Sequence, residues 1–132
     1  MIRINIKTST KEEIKDITRL IEEAAEKESI SDGIIFIHCP HTTCALGINE
    51  NADYTVKKDI LMSYEDIVKN NLPYKHLEGN STAHIKTLMT GVSLNIFVEK
   101  GQIILGTWQG IYLCEFDGPR NREVWIKAIK SK

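Results

Sequence analysis

The chain reads as one α+β domain over residues 1–132, built from mainly antiparallel strands, two longer helices and one short helix. Three observations predict it. Helical and strand periodicities follow the order β, α, β, β, α, short α and then four strands, unlike the strict alternation of a wound parallel sheet. The 132 residues fall in the commonest size range for one domain, and no repeat, low-complexity stretch or Pro/Gly/Ser-rich linker divides them. The 17 basic and 18 acidic side chains leave a net charge of -1, so no broad footprint for nucleic acid or an anionic membrane is present.

No apolar run approaches the roughly 20 residues that span a bilayer. The start, Met1-Ile2-Arg3-Ile4-Asn5-Ile6, alternates like a strand and lacks the apolar core of a signal peptide. The expectation is a soluble, cytoplasmic protein with no nucleic-acid or membrane partner.

Residues 2–7 form the first expected strand. Thr10 and Glu13, or Ser9 and Glu12, have capping-box spacing, so a helix should begin there and carry Ile14, Ile17, Leu20, Ile21, Ala24 and Ala25 on its buried face. Ser31-Asp32-Gly33 is a turn. The run Ile34–Cys39 is apolar enough for a strand buried on both faces, with His38 as a hydrogen-bonded core histidine. Pro40 interrupts it, and Thr42–Ile48 is expected as its partner strand, with His41 in the corner.

Asn49-Glu50-Asn51-Ala52-Asp53 precedes a second helix marked by Val56, Ile60, Leu61, Tyr64, Ile67 and Val68, with Asp53 or Asn51 as its cap. Capping needs one of these polar residues, which leaves a surplus for function. Asn70-Asn71-Leu72-Pro73 ends this helix. A short helix should then run from Ser81 to Gly91 with Ile85, Leu88 and Met89 inward. The tail reads as a meander: 93–99, a Lys100-Gly101 turn, 102–107, 111–116, an Asp117-Gly118-Pro119 turn and 122–130. Trp108 between two glycines is expected in the core. Cys39, Cys44 and Cys114 sit in apolar stretches without Cys-x-x-Cys spacing and read as small buried hydrophobes.

The chemistry concentrates between Tyr74 and Lys86, where His76, Glu78, Gly79, Asn80, His84 and Lys86 crowd the start of the short helix. Free amides at a helix N-terminus favour an anion. Lys86 and Arg120 or Arg122 would add point charge and a planar fork suited to phosphate oxygens, so the expected guest is a phosphorylated small molecule. His41, His76 and His84 are candidates for a Zn²⁺ site, though their spacing matches no standard metal motif; the alternative is that they bond loop backbone, against which stands their placement at loop edges beside glycine and carboxylate. Glu50, Asp53 and Glu78 offer carboxylates for acid-base work or Mg²⁺. Walker A, Gly-x-Ser-x-Gly, Gly-x-Gly-x-x-Gly and His-Glu-x-x-His are all absent, which sets those enzyme classes aside.

Five segments in series carry a resemblance: His41-Thr42-Thr43-Cys44-Ala45, Asn49–Asp53, His76–Lys86, Gly106-Thr107-Trp108-Gln109-Gly110-Ile111 and Glu115-Phe116-Asp117-Gly118-Pro119-Arg120. Together the chain closely resembles the YjbQ family, often labelled secondary thiamine-phosphate synthase. The resemblance implies a β-sandwich-like core, a homotrimer and polar motifs gathered in a cleft near subunit contacts. It also implies an activity joining hydroxymethylpyrimidine pyrophosphate to thiazole phosphate with release of pyrophosphate. The family's motif residues fall on His41, Asn49, Glu50, Asp53, His76, Glu78, Asn80, His84, Lys86, Gln109 and Arg120. Of these, His84, His76, Glu78 and Asp53 are the expected catalytic groups, and Asn49, Glu50, Asn80, Lys86, Gln109 and Arg120 the expected substrate contacts. His41, His76 and His84 are the expected metal ligands, with Mg²⁺ or Zn²⁺ as the cofactor. Two other readings are a metal-dependent enzyme on a different phosphorylated molecule and a trimeric metabolite-binding protein.

Overall fold

The computed structural model describes residues 1–132. In chain order its elements are β1 (Ile2–Lys7), β2 (Glu13–Asp16), α1 (Thr18–Glu28), β3 (Asp32–His38), β4 (Cys44–Glu50), α2 (Thr55–Ile67), α3 (Ser81–Thr90), β5 (Ser93–Glu99), β6 (Gln102–Ile103), β7 (Gln109–Glu115) and β8 (Asn121–Lys130). The fold is α+β, and every strand pairing is antiparallel. The strands make two sheets, ordered β1-β8-β3-β5-β6 and β2-β7-β4.

Period-two alternation explains how these sheets face each other. Ile6, Ile35, Ile37, Ile96, Val98, Val124 and Ile126 of the first sheet meet Cys44, Leu46, Ile111 and Leu113 of the second, while Ile21, Ala24 and Ala25 of α1 close the side. The second sheet is also covered behind, where Ala45, Tyr112 and Cys114 pack with Ala83 of α3 and with Phe116. The layers are therefore sheet, sheet and helices. No helix is long and apolar enough to cross a membrane.

Several elements depart from expectation for reasons visible in this layering. Residues 13–16 are an edge strand on β7 and α1 begins only at Thr18, because Ile14 reaches the helix-side cluster and Ile17 the main core. Neither expected capping box forms; the Ser9 N–H donates instead to Glu13 Oε1 at 2.6 Å in a turn ahead of β2. β3 is wet on one side, since only one face of its sheet is covered. Phe36 is exposed, and His38 lies outward, 3.1 Å from Ser93 Oγ, so it is hydrogen-bonded but outside the core.

The strand buried on both faces is instead β7, in the sheet that is covered on both sides. Residues 40–43 switch sheets, so β4 pairs with β7 and not with β3. The expected meander is split likewise: β7 joins the second sheet and β8 inserts between β1 and β3 in the first. Trp108 is 63% exposed in the β6–β7 connection, so it is not a core residue.

The N-cap of α2 is Tyr54, not the expected Asp53 or Asn51; Asp53 stands one residue earlier and accepts from the Thr55 N–H at 2.9 Å and its hydroxyl at 2.6 Å in a turn that leads into the helix. α3 turns a different face inward from the one expected. Ala83, Lys86 and Thr87 are buried, whereas Leu88 is 87% exposed. Small residues on both partners, Ala83 on α3 and Ala45 on β4, allow this close approach, and Leu46 N–H to Gly91 O at 3.0 Å fixes the helix exit. The three cysteines are free and buried, as expected.

A histidine and arginine cleft

The cleft sits where β4 begins and β7 ends. Its floor is a buried ion pair between Glu115 and Arg122, on the two strands joined by residues 116–120. Glu115 also accepts from the Thr8 hydroxyl at 2.7 Å and the Asp117 N–H at 3.0 Å. Burial pushes the Glu115 carboxyl up, but Arg122 and these donors outweigh it and hold it below the usual carboxylate range. One Arg122 nitrogen reaches on to Thr43, 2.9 Å from Oγ1 and 3.2 Å from O, and so anchors the corner that carries His41. The turn beyond Glu115 can approach only because residue 118 is glycine: a Cβ there would stand 2.3 Å from Thr10 O.

Above this floor Asp117 bridges two elements. Its Oδ2 accepts from Asn80 Nδ2 at 2.8 Å and from Arg120 at 3.0 Å, which ties the start of α3 to the β7–β8 turn. Burial opposes ionisation of Asp117, yet the Asn80 and Arg120 donors keep its carboxyl below the ordinary range. Half of the Arg120 side chain still faces solvent. α3 follows its N-cap residue Asn80, which makes no side-chain cap bond and itself lines the same opening. Asn80 Oδ1 is buried with no partner.

Both carboxylates have depressed folded values, so they contribute stability above their unfolded pKa of about 4 and lose it as pH falls through the folded value. The expected melting temperature is therefore level near neutrality and falls below about pH 4.5. In Asp117→Asn that fall should be shallower; an identical slope in melts across this range would rule Asp117 out as a contributor.

His76 and His84 form the other wall, with ring centroids 5.1 Å apart and planes at 89°. Glu78 lies 4.0 Å from His76 Nε2 and is mostly exposed. His41, His76, Glu78, Asn80, His84 and Arg120 thus share one polar cleft of about 380 Å³. His41 differs from the other two histidines. Its Nε2 accepts from the Glu123 N–H at 2.9 Å, and burial, with help from Arg122, pushes its pKa down and keeps the ring neutral.

That bond bears on the metal expectation. A neutral imidazole whose Nε2 is engaged carries its proton on Nδ1, so neither nitrogen of His41 is open to a metal in this arrangement. Within the chain no three His, Cys, Asp or Glu side chains converge as a metal site. The three-histidine set expected from the sequence does not fit Zn²⁺ as it stands here.

The remaining expected site residues lie elsewhere. Asn49 and Glu50 pair with Gly110 and Gln109 at the far end of β4, six residues from Cys44 and so about 20 Å away. Asp53 spends Oδ1 on Thr55, and Gln109 Oε1 accepts from the Gly106 N–H at 2.8 Å to brace its own turn. A carboxylate-held Mg²⁺ on Glu50 or Asp53 would therefore stand well away from Arg120. Lys86 is buried on the other side of α3, bonded to Glu12 at 2.7 Å and Glu65 at 3.1 Å. Reasoning from sequence missed Asp117, whose role shows only when the turn closes on Asn80, and it ranked Arg122 as an alternative anion contact where the fold makes it the floor.

The description "UPF0047 protein YjbQ-like" matches residues 2–131. The chain belongs to this family. It is 48% identical over 128 residues to the UPF0047 protein YugU of Bacillus subtilis, covering 96% of each chain. A UPF0047 protein of Methanocaldococcus jannaschii is 46% identical over 132 residues, all of this chain and 96% of the other. Among solved structures, a YjbQ/UPF0047 protein from Clostridium acetobutylicum superimposes with a TM-score of 0.94 at 47% identity, over 98% of this chain and 100% of that one. A protein of unknown function from Sulfolobus solfataricus gives 0.92 at 31% identity, over 98% and 95%.

Proposed function

We propose that the cleft of this YjbQ-like chain binds a phosphorylated small molecule and that His84, with His76 beside it, carries a proton to or from it. The observation that carries this reading is the convergence of Arg120, the uncapped start of α3 and two unengaged imidazoles on one polar cleft. A guanidinium suits phosphate oxygens, and an imidazole titrates near neutral pH. Glu78 Oε1 stands 4.0 Å from His76 Nε2 at the rim of the same cleft.

The specific reaction we propose is formation of thiamine phosphate. The thiazole nitrogen forms a bond to the pyrimidine's methylene carbon, the C–O bond to pyrophosphate breaks, His84 gives a proton to the departing pyrophosphate oxygen, and Arg120 takes up its remaining charge. The working unit in this proposal is the homotrimer. Its support is the apolar strip left uncovered on the outer face of the first sheet, where Phe36, Phe97 and Ile129 are exposed on neighbouring strands.

The test is alanine replacement of His84 and of Arg120 with thiamine-phosphate formation assayed on folded protein. His84→Ala should lower turnover by roughly 10²–10⁴-fold, and Arg120→Ala should chiefly weaken binding of the phosphorylated substrates. Full activity in both would sink the assignment. Tight binding with no turnover in the unaltered chain would favour a metabolite-binding protein instead. Stoichiometric zinc in untagged protein would replace the proton-carrier role with a metal one.

A further inference from the structure

We infer that a trough behind the second sheet, separate from the histidine cleft, binds one compact uncharged aromatic ring. The inference goes beyond the phosphate reading. The two sites share no lining residue, and the ring belongs to a different molecule from the cleft's ligand.

The trough has a volume of about 430 Å³, within the range of small-molecule sites. Its floor is the middle of β4, and its walls are Ile60 and Tyr64 of α2, Met89 of α3, Ile14 of β2, Tyr112 of β7 and Leu94 of β5. α2 buries none of its residues fully, which leaves the sheet open between the two helices. No Asp, Glu, Lys, Arg or His lines the trough, so a charged group has no partner there. The hydroxyls at its edge are already engaged. Tyr112 donates to Glu50 O at 2.7 Å, and the Tyr64 and Thr90 hydroxyls lie 3.1 Å apart, with Thr90 also 2.8 Å from Lys86 O. Burial pushes the Cys114 thiol up to about 12, so that wall is neutral too. What selects an occupant is apolar fit.

Gly47, on the floor, is the observation that points to a ligand. It sits in the interior of β4, where a glycine packs nothing and weakens the strand. The usual structural reasons for it are missing. Its φ is not positive, and a Cβ would meet only Cys114 Sγ, at 3.9 Å, so no backbone crowds it. Gly110 on the neighbouring strand differs, since a Cβ there would stand 2.7 Å from Asn51 Nδ2. Nor does the cross-strand partner cover Gly47. Tyr112 pairs with it, yet none of its atoms comes within 4 Å of where a Cβ would be, and its ring lies 4.9 Å from Lys57 Nζ. A bare strip of strand backbone is left as the floor. A planar ring can approach it at contact distance, with Tyr64 and Tyr112 giving aromatic surface on two sides.

The inference is tested by calorimetric titration of the full chain with indole, indole-3-carboxylate and 1-heptanol, each with and without excess inorganic phosphate. Indole should bind one to one with a dissociation constant below about 1 mM, whether or not phosphate is present. With phosphate present, indole-3-carboxylate should bind at least about tenfold weaker, for want of a partner for its charge. 1-Heptanol should also bind about tenfold weaker, because its chain loses more freedom. Gly47→Val should weaken indole at least about tenfold by filling the floor, with inorganic phosphate affinity unchanged. Gly47→Ala should weaken it about fivefold and melt at or above the parent's temperature, since a Cβ there meets nothing closer than 3.9 Å and alanine restricts the unfolded chain.

Indole that binds both Gly47 variants as tightly as the parent sits elsewhere, and that result would overturn the inference. Displacement of indole by inorganic phosphate would place it in the histidine cleft and overturn it likewise. Equal affinity for 1-heptanol would overturn the ring, and a lower melting temperature in Gly47→Ala would make the glycine a structural one. No binding of indole at all would leave the trough to a side chain of a second copy. None of these results touches the phosphate reading, which fails instead if phosphate itself does not bind. The comparison of ligands on the unaltered chain stands even if the valine variant does not fold.

Discussion

Arg122→Ala should cost roughly 3–5 kcal/mol of stability, the expected penalty for removing one partner of a buried ion pair. Arg122 is 4% exposed and Glu115 fully buried. Loss of the guanidinium removes two contacts to Glu115 and two to Thr43 at once. Glu115 would then be left with only the Thr8 hydroxyl and the Asp117 N–H for its charge. A domain of this size has about 5–15 kcal/mol in all, so the variant should unfold at far lower urea than the parent.

Removing both partners tells the charge apart from the shape. Glu115→Leu combined with Arg122→Met should recover much of the loss, because no buried charge is stranded. The same double variant still frees Thr43 and the His41 corner, so phosphate affinity should drop even where stability returns. A loss below about 1 kcal/mol for Arg122→Ala, as for an exposed pair, would show that the pair is not buried in the folded protein.

Much of this architecture is legible in local sequence because local periodicity reports which face of an element is covered. β1, β5 and α1 from Thr18 onward follow their patterns closely, whereas α2 keeps its expected span but buries no residue fully and leaves Ile67 exposed. Periodicity cannot report which sheet a strand joins. Residues 44–50 and 109–115 read as ordinary partners of their sequence neighbours, yet the corner at Pro40–Thr43 and the turn at Asp117–Arg120 send them into a separate sheet. The same limit explains α3. Its longest apolar side chains predict one face, but the helix lies close to β4 through its smallest ones.

At the site, His76, Glu78, Asn80 and His84 are close in sequence and stay close in space, and His41 and Arg120 join them across the β4–β7 pairing. Asn49, Glu50, Asp53 and Gln109 cluster at the opposite end of that pairing, which spacing along the chain does not reveal. A segment dense in polar residues thus proved to hold two separate groups, one around the histidines and one around α2's start.

Lys86 separates these alternatives experimentally, since sequence makes it a phosphate ligand and the fold makes it a strut. Its ammonium is buried between Glu12 and Glu65, and although desolvation pulls its pKa down, the two carboxylates prevail and raise it. A raised folded value contributes stability that is complete below the unfolded pKa of about 10.5 and is lost as pH climbs through the folded one. Lys86→Ala should cost about 2–5 kcal/mol, because a long buried stem leaves a cavity under α3. Lys86→Met fills the same space, and its partners Glu12 and Glu65 keep access to water, so its cost should stay below about 1.5 kcal/mol. The methionine variant should also lose the part of the alkaline fall in melting temperature expected of the parent from Lys86. Inorganic phosphate affinity should be the same in Lys86→Met as in the parent, while Arg120→Ala weakens it. A folded methionine variant whose phosphate affinity falls tenfold would return Lys86 to the cleft and require α3 to present its other face there.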